Sequence, residues 1–227
     1  MIHPNTRIGK GVLIQEGVII CYKRLSWTGV IYRKPLQENE QRKVVRLGEE
    51  RESDFYTGDN FLFPPLYNTA LQYLEDVLPD ETIVDLGCGC GYLAELLVGR
   101  AYLGIDFCEM ALGKVRKRVK EAHLILLDLR NSKNFEVYRD FRVFVALEVL
   151  EHIIADREMI ASIPFGSKVV FSVPNFDSKA HVRWFENPQV VIDRYDEWLN
   201  FEDVTTLSKT VDKLIFVFNA RRKLGTP

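Results

Sequence analysis

Residues 82–97, TIVDLGCGCGYLAELL, restrict the fold more than any other part of this chain. A short apolar run reaches Asp85, glycines stand at 87, 89 and 91, and a helix-forming segment follows at once. Glycine lets a backbone turn tightly and approach a ligand without a Cβ in the way, and the first turn of a following helix presents N–H groups with no helical partner. Strand, glycine loop and helix in this order open an α/β unit whose ligand sits at the carboxyl end of the strand. A nucleotide cofactor is implied.

The rest of the chain repeats the alternation. Strands are expected at Thr82 to Leu86, Tyr102 to Ile105, His123 to Leu127, Val143 to Leu147 and Lys168 to Val173, with two late ones near Val204 to Leu207 and Lys213 to Asn219. Helices are expected at Tyr92 to Val98, Glu109 to Lys120, Val149 to Ile163 and Val190 to Leu199, after an earlier one around Leu66, Ala70, Leu71 and Leu74. Strands alternating with helices predict an α/β fold with a doubly wound, mostly parallel sheet of seven strands. The two final strands lack a helix between them, so they predict a closing hairpin with one antiparallel strand.

Two further acids gather around the glycine loop. Asp106 ends the second strand nineteen positions after Gly87 (106 − 87), the register at which a carboxylate accepts from both ribose hydroxyls. Asp128 ends the third, at the same sheet edge, suited to an adenine amino group. A nicotinamide dinucleotide would require G-x-G-x-x-G, and where its last glycine belongs stands Tyr92. Asp85 would also repel a pyrophosphate, whereas it suits the cationic α-amino group of a methionine moiety.

Over residues 56–221 the chain resembles the class I, Rossmann-like S-adenosylmethionine-dependent methyltransferases. VDLGCGCG, LGIDFC and LLDL are similar to the family's first, second and adenine-contacting motifs, and VALEVLEHI to the segment after its fourth strand. That last segment resembles the small-molecule branch that includes quinone-biosynthesis enzymes. The resemblance implies S-adenosylmethionine held by Asp85, Gly87, Gly89 and Gly91, ribose by Asp106, adenine beside Phe107, Asp128 and Leu129, and the methionine side near Leu147. Cys90, where the family commonly has a small or hydroxyl residue, is expected only to pack.

Methyl transfer needs a base only where the acceptor must lose a proton. Candidates are His152, expected on a helix face with Glu148 at i, i+4, and His181, in the loop after the fifth strand that should overhang the cofactor. His181 is the favoured base. Arg183 and Trp184 beside it could clamp an anionic or ring-shaped acceptor, and Tyr56 could cover the cofactor mouth. No H-E-x-x-H pattern occurs, so no metal is expected.

With Lys+Arg at 30 against Asp+Glu at 32, the chain has no global positive field for a phosphate backbone. The strand-four segment also lacks the D/N-P-P-Y/F sequence of DNA amino-methylating enzymes, so nucleic acid is an unexpected substrate. Cys21, Cys88, Cys90 and Cys108 form no C-x-x-C pair, and no apolar run reaches the roughly 18 residues of a membrane span, which together read as cytoplasmic.

Residues 1–21 carry a different pattern: Ile2, Ile8, Ile14 and Ile20 recur every six positions, resembling one coil of a hexapeptide-repeat acyltransferase. A surface hairpin is the alternative. We therefore expect three parts, a β extension at 1–21, a linker or cap at 22–55 and a methyltransferase domain at 56–227. The acceptor would be a small molecule methylated at oxygen or nitrogen, with a sugar or surface-polysaccharide precursor suggested by the six-residue period. The alternative is a non-catalytic S-adenosylmethionine-binding module that meets a partner or a second copy through its N-terminal coil.

Overall fold

The computed structural model describes residues 63–178 and 181–225, with only the backbone of Glu136, together with the backbone of two strands, β1 (Val12–Gln15) and β2 (Val18–Cys21). The linker at 22–55, Tyr56 and the remainder of the six-residue pattern lie outside the described residues. β1 and β2 form an antiparallel hairpin.

Helix α1 (Pro64–Tyr73) starts on a Pro-Pro pair, where fixed φ angles and absent N–H groups cost nothing. Then follow β3 (Ile83–Leu86), α2 (Tyr92–Leu96), β4 (Tyr102–Asp106), α3 (Glu109–Arg118), β5 (His123–Leu126) and β6 (Val143–Leu147). The second half is α4 (Asp156–Ser162), β7 (Lys168–Pro174), α5 (Pro188–Tyr195), β8 (Leu199–Ser208) and β9 (Leu214–Arg222). The α3 helix buries Ala111, Leu112 and Val115 on one face and ends in Arg116, Lys117 and Arg118, cations suited to the negative end of its dipole. The α5 helix is capped by the Asn187 side chain, which accepts from the N–H groups of Gln189 and Val190.

The sheet order is β1-β2-β5-β4-β3-β6-β7-β9-β8. Strands β3 to β7 are parallel, and β9 runs antiparallel between β7 and β8. This is the expected seven-stranded body with its closing hairpin, and β2 extends it by pairing with β5 at Val18 and Leu124. Burial on both faces explains why β3, β4 and β7 are buried at every position. Successive residues feed opposite cores: Val84, Leu86, Leu103, Phe144 and Phe171 pack on one face, and Ile83, Tyr102, Val143, Val145 and Val170 on the other. The order reverses between β4-β3 and β3-β6, so the ligand crevice opens at the carboxyl ends of β3 and β6.

Three expectations need correction. The helix expected over residues 149–163 is interrupted: Leu150–His152 form a single 3-10 turn, and the α-helix begins only at Asp156. Glu148 and His152 therefore share no helix face. The physical reason lies in Arg183, whose guanidinium takes the carbonyls of Leu150, Ile153 and Ile154, which a continuing helix would use itself. The helix expected to run to Leu199 stops at Tyr195, and β8 is ten residues long because most of it is a solvent-facing edge strand with weak alternation.

Candidate functional site

The loop between β3 and α2 has the backbone that its glycines permit. Gly87, Gly89 and Gly91 have φ of 75°, 52° and 81°, in the left-handed region that favours glycine. Space is short as well: a Cβ on Gly87 would stand 2.6 Å from Cγ2 of Val149, and one on Gly91 2.8 Å from Cγ1 of Val115. The loop is tied to β4, with the N–H groups of Gly87 and Cys88 both donating to the Ile105 carbonyl at 2.7 and 3.0 Å.

Asp106 closes the same corner. Its Oδ2 accepts from the Gly89 N–H and its Oδ1 from the Cys108 N–H, each at 2.9 Å, which fixes the carboxylate plane between the loop and the start of α3. Asp85 lies deeper, 3% exposed, and accepts from the Tyr102 hydroxyl at 2.7 Å. Burial pushes its carboxyl up to about 7, the hydroxyl pulling the other way and Asp106 adding to the rise. Among the described residues no Lys or Arg is ion-paired with it. A carboxyl in such a place gains from a cation, and that is the chemistry of an amino acid's ammonium group.

Phe107 and Asp128 meet through Arg130. The guanidinium lies 4.4 Å from the Phe107 ring centroid and grips the Asp128 carboxylate in a fork, Nε to Oδ1 at 2.8 Å and Nη2 to Oδ2 at 3.0 Å. The Arg130 N–H adds a third bond to Oδ1. Asp128 is thus less available to an adenine amino group than its strand-end position suggests, and Arg130 is a site residue that the sequence reading missed. The pattern D-x-R was the available signal. Leu129 is buried in the core, which leaves its backbone as the part able to meet a ligand. Leu147 is half-buried at the end of β6.

Beyond Leu147 stands the other missed residue. Glu148 has φ 56° and is the one non-glycine residue with positive φ among those described. A side chain in this conformation costs of order 1–2 kcal/mol. Ser172 on β7 supports it twice, accepting from the Glu148 N–H at 2.9 Å and donating to Oε1 at 3.1 Å. Burial pushes the Glu148 carboxyl up to about 7, with Ser172 and then Lys209 acting in the opposite direction. The Tyr67 phenol, on α1, is raised by burial and then by the charges of Asp85, Tyr92, Glu148 and Cys90, so it lies within electrostatic reach of both carboxyls. The rings of Tyr67 and Tyr92 lie 6.0 Å apart.

The two candidate histidines come together. Their ring centroids are 4.9 Å apart in an edge-on arrangement. His181 Nδ1 lies 3.1 Å from the Phe176 carbonyl, which can only accept, so Nδ1 carries the proton and Nε2 presents the lone pair. Nitrogen and carboxylate atoms of His152, His181 and the buried Glu151 fall within 4.8 Å of one another, close enough to contact one cation.

Arg183, expected as an acceptor clamp, has its guanidinium engaged by the carbonyls of Leu150, Ile153 and Ile154. Besides the three carbonyls, Arg183 lies 3.3 Å from Oδ2 of Asp156, a buried carboxylate that also accepts from Arg194 and the Tyr195 hydroxyl. The partly exposed guanidinium braces the 150–154 segment. Trp184 is half-exposed and lines a surface depression of about 400 Å³ with Arg157, Arg183, Val190, Asp193 and Arg194, to which no residue of the glycine loop contributes.

Residues 84–163 match the family model described as a methyltransferase domain. The ubiquinone biosynthesis O-methyltransferase of Nitrosomonas europaea is 29% identical over 145 residues, a match covering 54% of this chain and 59% of that protein. The protein of the same name from Thiobacillus denitrificans is 29% identical over 137 residues. The chain thus spans somewhat over half the length of these curated relatives. Among solved structures, the N-methyltransferase NodS of Bradyrhizobium japonicum WM9, in complex with S-adenosyl-L-homocysteine, superposes with a TM-score of 0.63 at 18% identity, over 78% of this chain and 97% of that one. Magnesium protoporphyrin IX methyltransferase of Synechocystis PCC 6803 gives 0.61 at 18% identity, over 80% and 100%. Fold, motif positions and family match agree: residues 84–163 are similar to the methyltransferase domain, and the chain has the α/β, Rossmann-like fold of these solved methyltransferases.

Proposed function

We propose that this protein moves the methyl group of S-adenosylmethionine to an oxygen or nitrogen of a small-molecule acceptor. The observation that carries the reading is the junction of three left-handed glycines with two buried acids, Asp85 and Asp106, at the point where the strand order reverses. In this reading Asp106 receives the ribose hydroxyls, Asp85 the α-ammonium group, and the Phe107–Arg130 pair the adenine, with Asp128 held in place by Arg130. When bound, the cofactor supplies an electrophilic methyl on a sulfonium centre. The protein then has to align an acceptor atom about 3 to 3.5 Å from that methyl and take up its proton. His181 Nε2 is suited to the second task because its tautomer is set by Phe176, and His152 packs against it.

The names of the curated relatives favour an oxygen acceptor on a quinone precursor, while the six-residue period at the N-terminus is the whole support for a sugar or surface-polysaccharide precursor. Among the described residues no helix is long and apolar enough to cross a membrane. Incubation with methyl-labelled S-adenosylmethionine and fractionated cell extract tests the reading. Label should appear in a small-molecule fraction and depend on His181. Cofactor binding without transfer to any fraction would favour the non-catalytic alternative.

A further inference from the structure

Nothing above gives Glu148 a task, although the chain holds it in a strained conformation at the mouth of the crevice. Its position is tightly determined. Val149, the next residue, packs against Gly87, so Glu148 stands one residue from direct contact with the glycine loop. Strand β6, which delivers it, is paired with β3, which delivers Asp85, and Val145 lies opposite Asp85. Tyr67, on α1, lies within electrostatic reach of both acids. The Ser172 hydroxyl is itself wholly buried and holds both the backbone and the carboxyl of Glu148, so the direction of the side chain is fixed by the sheet rather than by solvent.

Asp85 and Glu148 thus stand at the carboxyl ends of the paired strands β3 and β6, and the methionine end of S-adenosylmethionine has two cationic centres, the ammonium and the sulfonium. Resting on the cofactor reading above, we propose that Glu148 is the specificity residue for the sulfonium charge, selecting S-adenosylmethionine over S-adenosylhomocysteine. Asp85 attends to the ammonium, which substrate and product share. Glu148 attends to the positive sulfur, which only the substrate has; transfer of the methyl leaves a neutral thioether and removes the attraction. The Glu148 carboxyl then loses the sulfonium charge in the product complex, which favours product release. Burial has already raised both carboxyls to about 7, the environment in which an added cation gains most.

Calorimetric titration of both ligands, without turnover, tests the division of labour. Glu148→Gln keeps the shape and the contact with Ser172 while removing the charge. It should weaken S-adenosylmethionine about tenfold or more and S-adenosylhomocysteine less than about threefold. Asp85→Asn should weaken both ligands by similar factors. Ser172→Ala, which retains the Glu148 charge but frees its position, should lie between wild type and Glu148→Gln in the ratio of the two affinities, and it decides the matter should Glu148→Gln fail to fold. Equal loss of both ligands in Glu148→Gln, or an unchanged ratio in Ser172→Ala, would overturn the proposal. Failure of wild type to bind either ligand would instead overturn the cofactor reading itself.

Discussion

At the residue scale the crevice is built on acids that the fold makes uncomfortable, and Asp85 makes this measurable. Its carboxyl titrates near 3.8 in an open chain and is pushed up to about 7 in the folded protein, chiefly by burial. Unfolding in that interval releases the proton that the folded state retains. Stability from this group is complete below about pH 4, declines as pH rises towards 7 and is level above it. Glu148 acts with the same sign. Ligand-free protein should therefore melt at a lower temperature at pH 8 than at pH 5, and Asp85→Asn should reduce the difference. An Asp85→Asn protein whose melting temperature falls as much as that of wild type over this range would show that Asp85 is not the group responsible. The glycines, Asp85 and Asp106 were legible in the sequence because strand, loop and strand-end acid have fixed spacings. Glu148 was not legible in this role: its left-handed backbone depends on Ser172, twenty-four positions away on another strand (172 − 148). Arg130 was missed because a forked pairing two residues along looks, in sequence, like any charged turn.

At the scale of elements the informative failure is the helix after β6. Its apolar pattern runs on through Leu150, Ile153 and Ile160, so periodicity alone joins residues that the chain separates. Arg183 makes the separation. Bonded to three carbonyls of the 150–154 segment, with the Val182 N–H donating to the Glu151 carbonyl, it locks the loop carrying His181 to the turn carrying His152. Arg183→Ala should accordingly destabilise the protein by about 1–3 kcal/mol, since buried acceptors lose their donor. It should also lower kcat at nearly unchanged cofactor affinity. Arg183→Lys keeps a charge beside Asp156 but cannot reach three carbonyls, so it should rescue only in part. An Arg183→Ala enzyme with full stability and kcat but a raised KM for an anionic acceptor would restore the acceptor-clamp expectation. The late hairpin, in contrast, was readable, because two strands without an intervening helix have few ways to join a parallel sheet.

For the whole molecule, fold class and strand count followed from the alternation of short apolar runs with helical segments, while strand order came only with the structure. What alternation cannot give is the addition of β2 beside β5, a pairing between segments about a hundred residues apart. If the crevice between β3, β4 and β6 holds S-adenosylmethionine, titration of S-adenosylhomocysteine into wild type and Asp106→Ala will read it out. Wild type should bind one equivalent saturably and show no heat with nicotinamide dinucleotides, while Asp106→Ala should bind about ten- to a hundredfold more weakly, the value of charge-assisted hydrogen bonds to two hydroxyls. Absence of binding by wild type would show that the crevice does not hold the cofactor, and undiminished affinity in a folded Asp106→Ala protein would remove Asp106 from the ribose site.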